Sequence, residues 1–281
     1  MIGSPPLAAR PLAIPRSSRG SSRRSSRGPT RRPVDTEYVD AAHLDHAQRL
    51  ALARQLFVIY RELFDYGDEA FFREHVLFPP HQHMRLALFR NEHQQLVGYT
   101  NVWVVEQTID GRAIGVMRSA IFSRLGYRVV EPCIRLNIEV ALRQRLAAPR
   151  TPLWLFTITA TPASYRLLRY YGVEFYPRRD VQDPITESLG RQLVEALGLQ
   201  PVGERPWVIH FPARPVHPER LRGSQSLDRD PDARFFRRLV TPHGPDHVVV
   251  VLAPVTLRNT AIAVMNTLRR GLGRWIGHRS K

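Results

Sequence analysis

The stretch 112–177 constrains the fold more than any other part of the chain. Residues 112–123 read as a strand, 124–147 as a glycine-containing loop running into a helix, and 153–177 as a strand, a short helix and a glycine-terminated exit. In 153–160, apolar and β-branched residues follow one another almost without a break, as in a strand covered on both faces. The preceding helix has Ile134, Ile138, Ala141, Leu142 and Leu146 at helical spacing, and Pro132 suits its first turn, where a missing N–H matters least. A helix joining two parallel strands makes a right-handed crossover. That places the loop Ser123-Arg-Leu-Gly-Tyr-Arg128 at the carboxyl end of its strand.

Free amides at a helix amino end attract phosphate, and Gly126 lets a ligand come close to the backbone. Arg124 and Arg128 would add charged contacts to a pyrophosphate. An ordinary strand-to-helix loop with two solvated arginines would carry the same residues. Ahead of this unit stand two further strand-like runs, 84–90 and 96–107, joined through a polar turn at Asn91-Glu92. Asp110-Gly111 is a hairpin signal leading into strand 112–123. The expected order is a helix-rich start, an antiparallel three-stranded meander and a βαβα unit.

This order, with two motif regions inside it, resembles the GNAT superfamily of acyl-CoA N-acyltransferases over roughly residues 44–177. The first region is the pyrophosphate loop. Gly126 matches its glycine, whereas Ser123 stands at the family's Gln/Arg position and Arg128 at a small-residue position, with Arg124 one residue late. The second is Thr161-Pro-Ala-Ser-Tyr-Arg-Leu-Leu-Arg-Tyr-Tyr-Gly172-Val, which matches the family's strand–helix end in length and closing glycine. The resemblance implies an α/β (α+β) fold with a mixed, mostly antiparallel sheet flanked by helices. It implies acyl-CoA or acetyl-CoA as co-substrate, a small-molecule or peptide amine as acceptor, and no metal. Phe122, Ser123, Arg124, Gly126, Tyr127 and Arg128 would hold the CoA. Leu168 occupies the place of the family's tyrosine acid, so Tyr165 and Tyr171 become the candidate donors to the thiolate. Glu106, near the end of its strand, is the candidate base on the amine. Tyr60, Phe64, Tyr66, Phe71 and Phe72 are candidate walls of the acceptor pocket, or core. The departures at Ser123, Arg128 and Leu168 equally suit a non-catalytic binding protein that kept the fold, since fold alone does not establish activity.

Charge is distributed unevenly. The formal net charge is +16, but residues 1–33 carry eight arginines and no acid. That segment, rich in Ser, Pro and Gly, reads as a disordered basic tail. Its composition also fits a transit peptide, and nucleic acid would meet it only through non-specific contacts. Residues 34–180 read as the acyltransferase-like domain and 181–281 as a C-terminal extension. Within the extension a helix is expected over 185–197, a strand at 207–211, a loop over 212–233, a strand at 248–252 and an amphipathic helix over 257–276. The last has apolar residues Leu257, Ala261, Val264, Met265, Leu268, Leu272, Trp275 and Ile276 beside several arginines, a pattern that packs on a domain or lies on an anionic membrane surface. A helix over 44–64 is expected to start at Asp40 or His43. A single cysteine, Cys133, points to a reducing compartment, hence the cytoplasm, with the terminal helix as a route to peripheral membrane contact. His81 with His83, and His243 with His247, lack the ligand spacing of a metal site.

Overall fold

A computed structural model of the chain describes residues 31–78, 84–171, 174–211, 214–215, 227, 229–244 and 246–278. The expected pair His81 and His83 and the loop 216–226 lie outside them. The chain enters through β1 (Asp35–Asp40) and then α1 (His46–Leu63). A capping box starts α1: the Asp45 carboxylate accepts from the Gln48 amide, and the Gln48 side chain accepts from the Asp45 amide. Such a cap contributes about 1 kcal/mol. Asp40 is not the cap of this helix, because its carboxylate receives the Ala42 amide and the Arg85 guanidinium at the end of β1. Two short pieces follow, β2 (Phe64–Asp65) and α2 (Glu69–Phe71), the latter continued by a π-helical turn at Phe72–Leu77.

The meander comes next, as β3 (Met84–Arg90), β4 (Leu96–Ile109) and β5 (Arg112–Ser123). Asp110 and Gly111 both take positive φ, 49° and 72°, the requirement of the two-residue turn that matches strand twist. Then come α3 (Val130–Ala147), β6 (Leu153–Thr159) and α4 (Pro162–Tyr171). The remainder supplies α5 (Pro184–Ala196), β7 (Val208–His210), β8 (Arg214–Pro215), α6 (Pro231–Val240), β9 (His247–Pro254) and α7 (Leu257–His278).

One seven-stranded sheet runs in the order β1-β3-β4-β5-β6-β9-β7; β5 and β6 are parallel and every other neighbour is antiparallel. The fold is therefore mixed α/β with a mostly antiparallel sheet. The strands after residue 180 join this same sheet: β9 pairs with β6 from Trp154↔Pro254 to Thr159↔Val249. α6 begins at Pro231, so the expected loop is shorter than 212–233; Asp230 caps the helix through the Asp232 and Ala233 amides.

Helices cover both faces. On one, α1 packs on Met84, Leu86, Leu88, Tyr99, Trp103 and Phe122, and α5 packs on Ile114, Val116, Phe156, Trp207 and β9. On the other, α3 covers Ala87, Phe89, Val102 and Met117, while α4 and α6 cover Val249 and Val251. α7 packs against α3 and α4. Its start is fixed by Asn259, whose amide group donates to the Glu174 and Pro254 carbonyls and accepts from the Glu174 amide. Part of the expected apolar stripe stays in solvent, namely Leu257, Met265 and Leu268. Among the described residues no helix is long and apolar enough to cross a membrane.

Candidate functional site

The parallel ladder between β5 and β6 is short. It pairs Gly115↔Leu153, Val116↔Trp154, Met117↔Leu155 and Arg118↔Phe156, and ends there, although β5 continues to Ser123 and β6 to Thr159. Just past the last pair, the Thr157 hydroxyl donates to the Ser119 carbonyl at 3.2 Å, a side chain bridging where a main-chain bond would lie in a continuous ladder. Beyond it the strands part. Ile121 is 48% exposed in the middle of a seven-stranded sheet, as expected of an apolar residue whose neighbouring strand has moved off. β6, which the sequence suggested would be covered throughout, is half-buried at Trp154, Leu155, Thr157 and Ile158, the last two past the end of the ladder.

At the wide end of the gap lies the loop 124–129. Gly126 has φ +85°, and a Cβ there would meet nothing within 4 Å, so the loop is open on that side. α3 has no side-chain cap at its amino end. The other side of the loop is occupied by the chain itself. The Arg31 amide donates to the Gly126 carbonyl at 2.7 Å, and the Arg128 amide donates to the Arg31 carbonyl at 2.9 Å. Neither expected phosphate-binding arginine is held ready for an anion. Arg124 forms a 2.8 Å ion pair with Glu62 of α1, and Arg128 lies 3.8 Å from Glu131. Tyr127 packs in the α3 core and its hydroxyl accepts from the Asn91 side chain. Phe122 is buried against Tyr60, Phe64 and Tyr99, while Ser123 pairs with Gly98.

The expected catalytic residues are not brought together. Tyr165 is buried among Phe175, Phe235 and Phe236, and its hydroxyl donates to the Pro177 carbonyl at 2.6 Å. Burial, followed by the nearby Asp232 carboxylate, pushes its phenol far up. It is a structural tyrosine joining α4 and α6, not a donor facing the gap. Glu106 is exposed and sits opposite Gly115, beside the closed part of the ladder. Tyr171 is the last residue of α4, and its side chain lies outside the described residues. Leu168 packs beside Tyr165. Of the expected acceptor walls, Tyr60 and Phe72 are buried core, Tyr66 and Phe71 pack edge to face, and Phe64 joins Tyr60, Phe122 and Phe211. His243 and His247 approach to 5.8 Å between rings, yet no described group of three His, Cys, Asp or Glu side chains could hold a metal.

A second set of residues escaped the sequence reading. Along the α1 face of β4, alternate positions carry Tyr99, Asn101 and Trp103, all buried. The Asn101 side chain donates to the Val76 carbonyl, but its Oδ1 has no partner; neither has the Tyr99 hydroxyl or Trp103 Nε1. Opposite Trp103 stands Arg118, the residue at which the β5–β6 ladder ends. Its guanidinium lies 5.2 Å from the Trp103 ring and 5.6 Å from the Phe156 ring. Among the described residues no carboxylate lies within ion-pair distance of it. Burial alone lowers its pKa. Burial likewise pushes the phenol of Tyr99 well up and that of neighbouring Tyr60 to about 12. Buried polar atoms without partners are rare and each costs about 1–3 kcal/mol. The sequence signal was available: a polar Asn101 and a charged Arg118 inside otherwise apolar strands.

No protein family matches the chain by sequence, and no curated protein matches it. Among solved structures, it is similar to a conserved protein of Enterococcus faecalis V583 described as a probable N-acyltransferase, at 12% identity and TM-score 0.34, over 50% of this chain and 32% of that one. An acyl-CoA N-acyltransferase of Pseudomonas aeruginosa matches at 18% identity and TM-score 0.29, over 53% of this chain and 92% of that one. TofI, solved in a ternary complex with an inhibitor and MTA, matches over 82% of this chain and 96% of its own, at 12% identity and TM-score 0.38.

Proposed function

We propose that this chain transfers an acyl group from a coenzyme A thioester to an amine, with the thioester seated in the gap between β5 and β6. The observation that carries the proposal is the end of the ladder at Arg118/Phe156 while both strands run on. An open strand edge hydrogen-bonds an extended amide-bearing chain, and the pantetheine arm is one. Backbone N–H groups on such an edge also polarise a thioester carbonyl. The open side of Gly126 and the uncapped start of α3 lie where the diphosphate would follow. In the reaction a neutral amine attacks the thioester carbon, the C–N bond forms, the C–S bond breaks, and the thiolate takes a proton. Tyr171 remains the candidate donor for that proton. Exposed apolar Ile121 and Leu125, beside the gap and in the loop, would be covered by the bound arm.

Calorimetric titration of the full chain with acetyl-CoA and with a long-chain acyl-CoA tests the proposal. Binding of at least one is expected, as is its loss in Gly126→Trp. A folded sample that binds neither overturns it. A second reading, a binding protein without catalysis, is favoured by Tyr165 being held on the Pro177 carbonyl and by Glu106 lying beside the closed part of the ladder. It predicts CoA binding without release of thiol from acetyl-CoA over a panel of amines. Cys133 is fully buried and its thiol pushed up by burial, so it contributes no background to a thiol assay. The exposed stripe Leu257, Met265 and Leu268 with Arg258 and Arg269 supports contact of α7 with an anionic membrane surface. Equal sedimentation with anionic liposomes in the presence and absence of 254–281 would remove that element.

A further inference from the structure

We infer that Arg118 anchors a carboxylate on the acceptor, so that the molecule acylated is amino-acid-like, bearing an amine and a carboxylate a few bonds apart. The acceptor half of this statement rests on the acyl-transfer reading; the anion site rests on geometry alone. Arg118 is a forked cation held between two aromatic faces, Trp103 at 5.2 Å and Phe156 at 5.6 Å. Ring faces attract a guanidinium but accept none of its five N–H bonds in the way an oxyanion does. A planar, bidentate carboxylate fits that fork better than water or a lone carbonyl.

Three further features place a ligand there rather than a misfit in packing. Trp103 Nε1, a donor without a partner, belongs to the residue directly opposite Arg118 on β4. Asn101 Oδ1, an acceptor without a partner, belongs to the next residue on that face of β4, with its Cα roughly 7 Å from that of Trp103. An acceptor at Asn101 on the same face as Arg118 would receive the amine of an amino acid whose carboxylate sits on Arg118. Asn101 pairs with Ala120, in the part of β5 that has separated from β6. The reaction balances without further reagents: the acceptor nitrogen bonds to the acyl carbon, the C–S bond breaks, and the proton lost by nitrogen ends on the CoA thiol.

The test measures binding of small probes to the full chain at fixed ionic strength, by melting temperature and calorimetry. Glycine, β-alanine, 4-aminobutyrate and acetate are compared with glycinamide and inorganic phosphate. The carboxylates should raise the melting temperature and glycinamide should not. In Arg118→Gln the carboxylate affinity should fall about 10- to 100-fold, the loss of a charged hydrogen-bond pair. Arg118→Lys, which keeps the charge without the fork, should be intermediate, and it carries the comparison if the glutamine variant does not fold. Equal responses to glycine and glycinamide, a response to phosphate alone, or an unchanged response in the Arg118 variants each overturns the inference. Gly126→Trp separates the two ideas: it should lose acetyl-CoA and keep the carboxylate response. Acetyl-CoA binding without any carboxylate response removes the anion site and leaves acyl transfer standing. The converse removes acyl transfer and leaves the anion site.

Discussion

Deleting residues 1–32 should strengthen acetyl-CoA binding, because the Arg31 carbonyl takes the Arg128 amide that a diphosphate at this loop would otherwise receive. Arg31 makes two main-chain hydrogen bonds there, to the Gly126 carbonyl at 2.7 Å and from the Arg128 amide at 2.9 Å. Each is worth about 1 kcal/mol net, so together they supply about 2 kcal/mol. Fixing the backbone of Arg31 opposes this by about 1–2 kcal/mol. The net hold on the loop is then below about 1 kcal/mol, and its removal should tighten CoA by no more than about fivefold. The deletion ends ahead of the bond from the Val34 amide to the Arg90 carbonyl, which ties down β1, so the sheet should be unaffected. It also removes eight arginines, whose attraction for an anion acts in the opposite direction. Calorimetry in 1 M NaCl, where the screening length is roughly 3 Å, separates the two effects. A loss of affinity at that salt refutes competition at the loop and moves the diphosphate elsewhere.

Other expectations follow from the packing. Tyr165→Phe should lower stability by about 1–2 kcal/mol in urea melts, through the lost bond to the Pro177 carbonyl, and leave turnover per folded molecule unchanged; a fall in turnover at full stability would restore Tyr165 to the chemistry. Asn259→Ala should destabilise the chain by about 2–3 kcal/mol, since it strands the Glu174 amide and carbonyl at the start of α7; a neutral outcome would mean that α7 docks without that clamp. Acid should unfold the protein through its aspartates. The Arg178 guanidinium, hydrogen-bonded to Asp180, holds that carboxyl far below its ordinary 3.8, and the Thr186 hydroxyl does the same less strongly for Asp183. For Asp40, burial is the largest influence and acts upward, but the Ala42 amide and Arg85 together outweigh it. A depressed folded pKa contributes stability that is complete above the unfolded value and is lost as pH falls through the folded one. Stability should therefore hold down to about pH 5 and decline below 3.8, with a smaller decline in Asp180→Asn; identical acid melts for both proteins would contradict the assignment.

Much of the architecture was written in local patterns. The meander, the loop, α3, β6 and α4 follow from periodicity, and the turn at Asp110-Gly111 from the backbone freedom that its positive φ values need. β1 was missed because an edge strand reading Asp-Thr-Glu-Tyr-Val-Asp carries acids, and edge strands tolerate charge. α6 was missed because Pro231 begins it, and a proline at a helix start looks from sequence like a continuing loop.

The candidate site divides in the same way. Sequence alone determined that a glycine turn feeds the amino end of α3 at the carboxyl end of a strand, because turn chemistry and helix starts are local. Tertiary structure alone decided what reaches that turn and what lies beside it. Arg31 covers one side of it and Glu62 takes Arg124, through contacts across 95 and 62 positions of chain that no local pattern encodes. The same holds for Arg118. Its side chain looks like any strand residue until β4 brings Trp103 against it and β6 brings Phe156, then turns away. Charge and periodicity are properties of neighbours in sequence, whereas desolvation and the lack of a partner depend on which distant strands pack around a group.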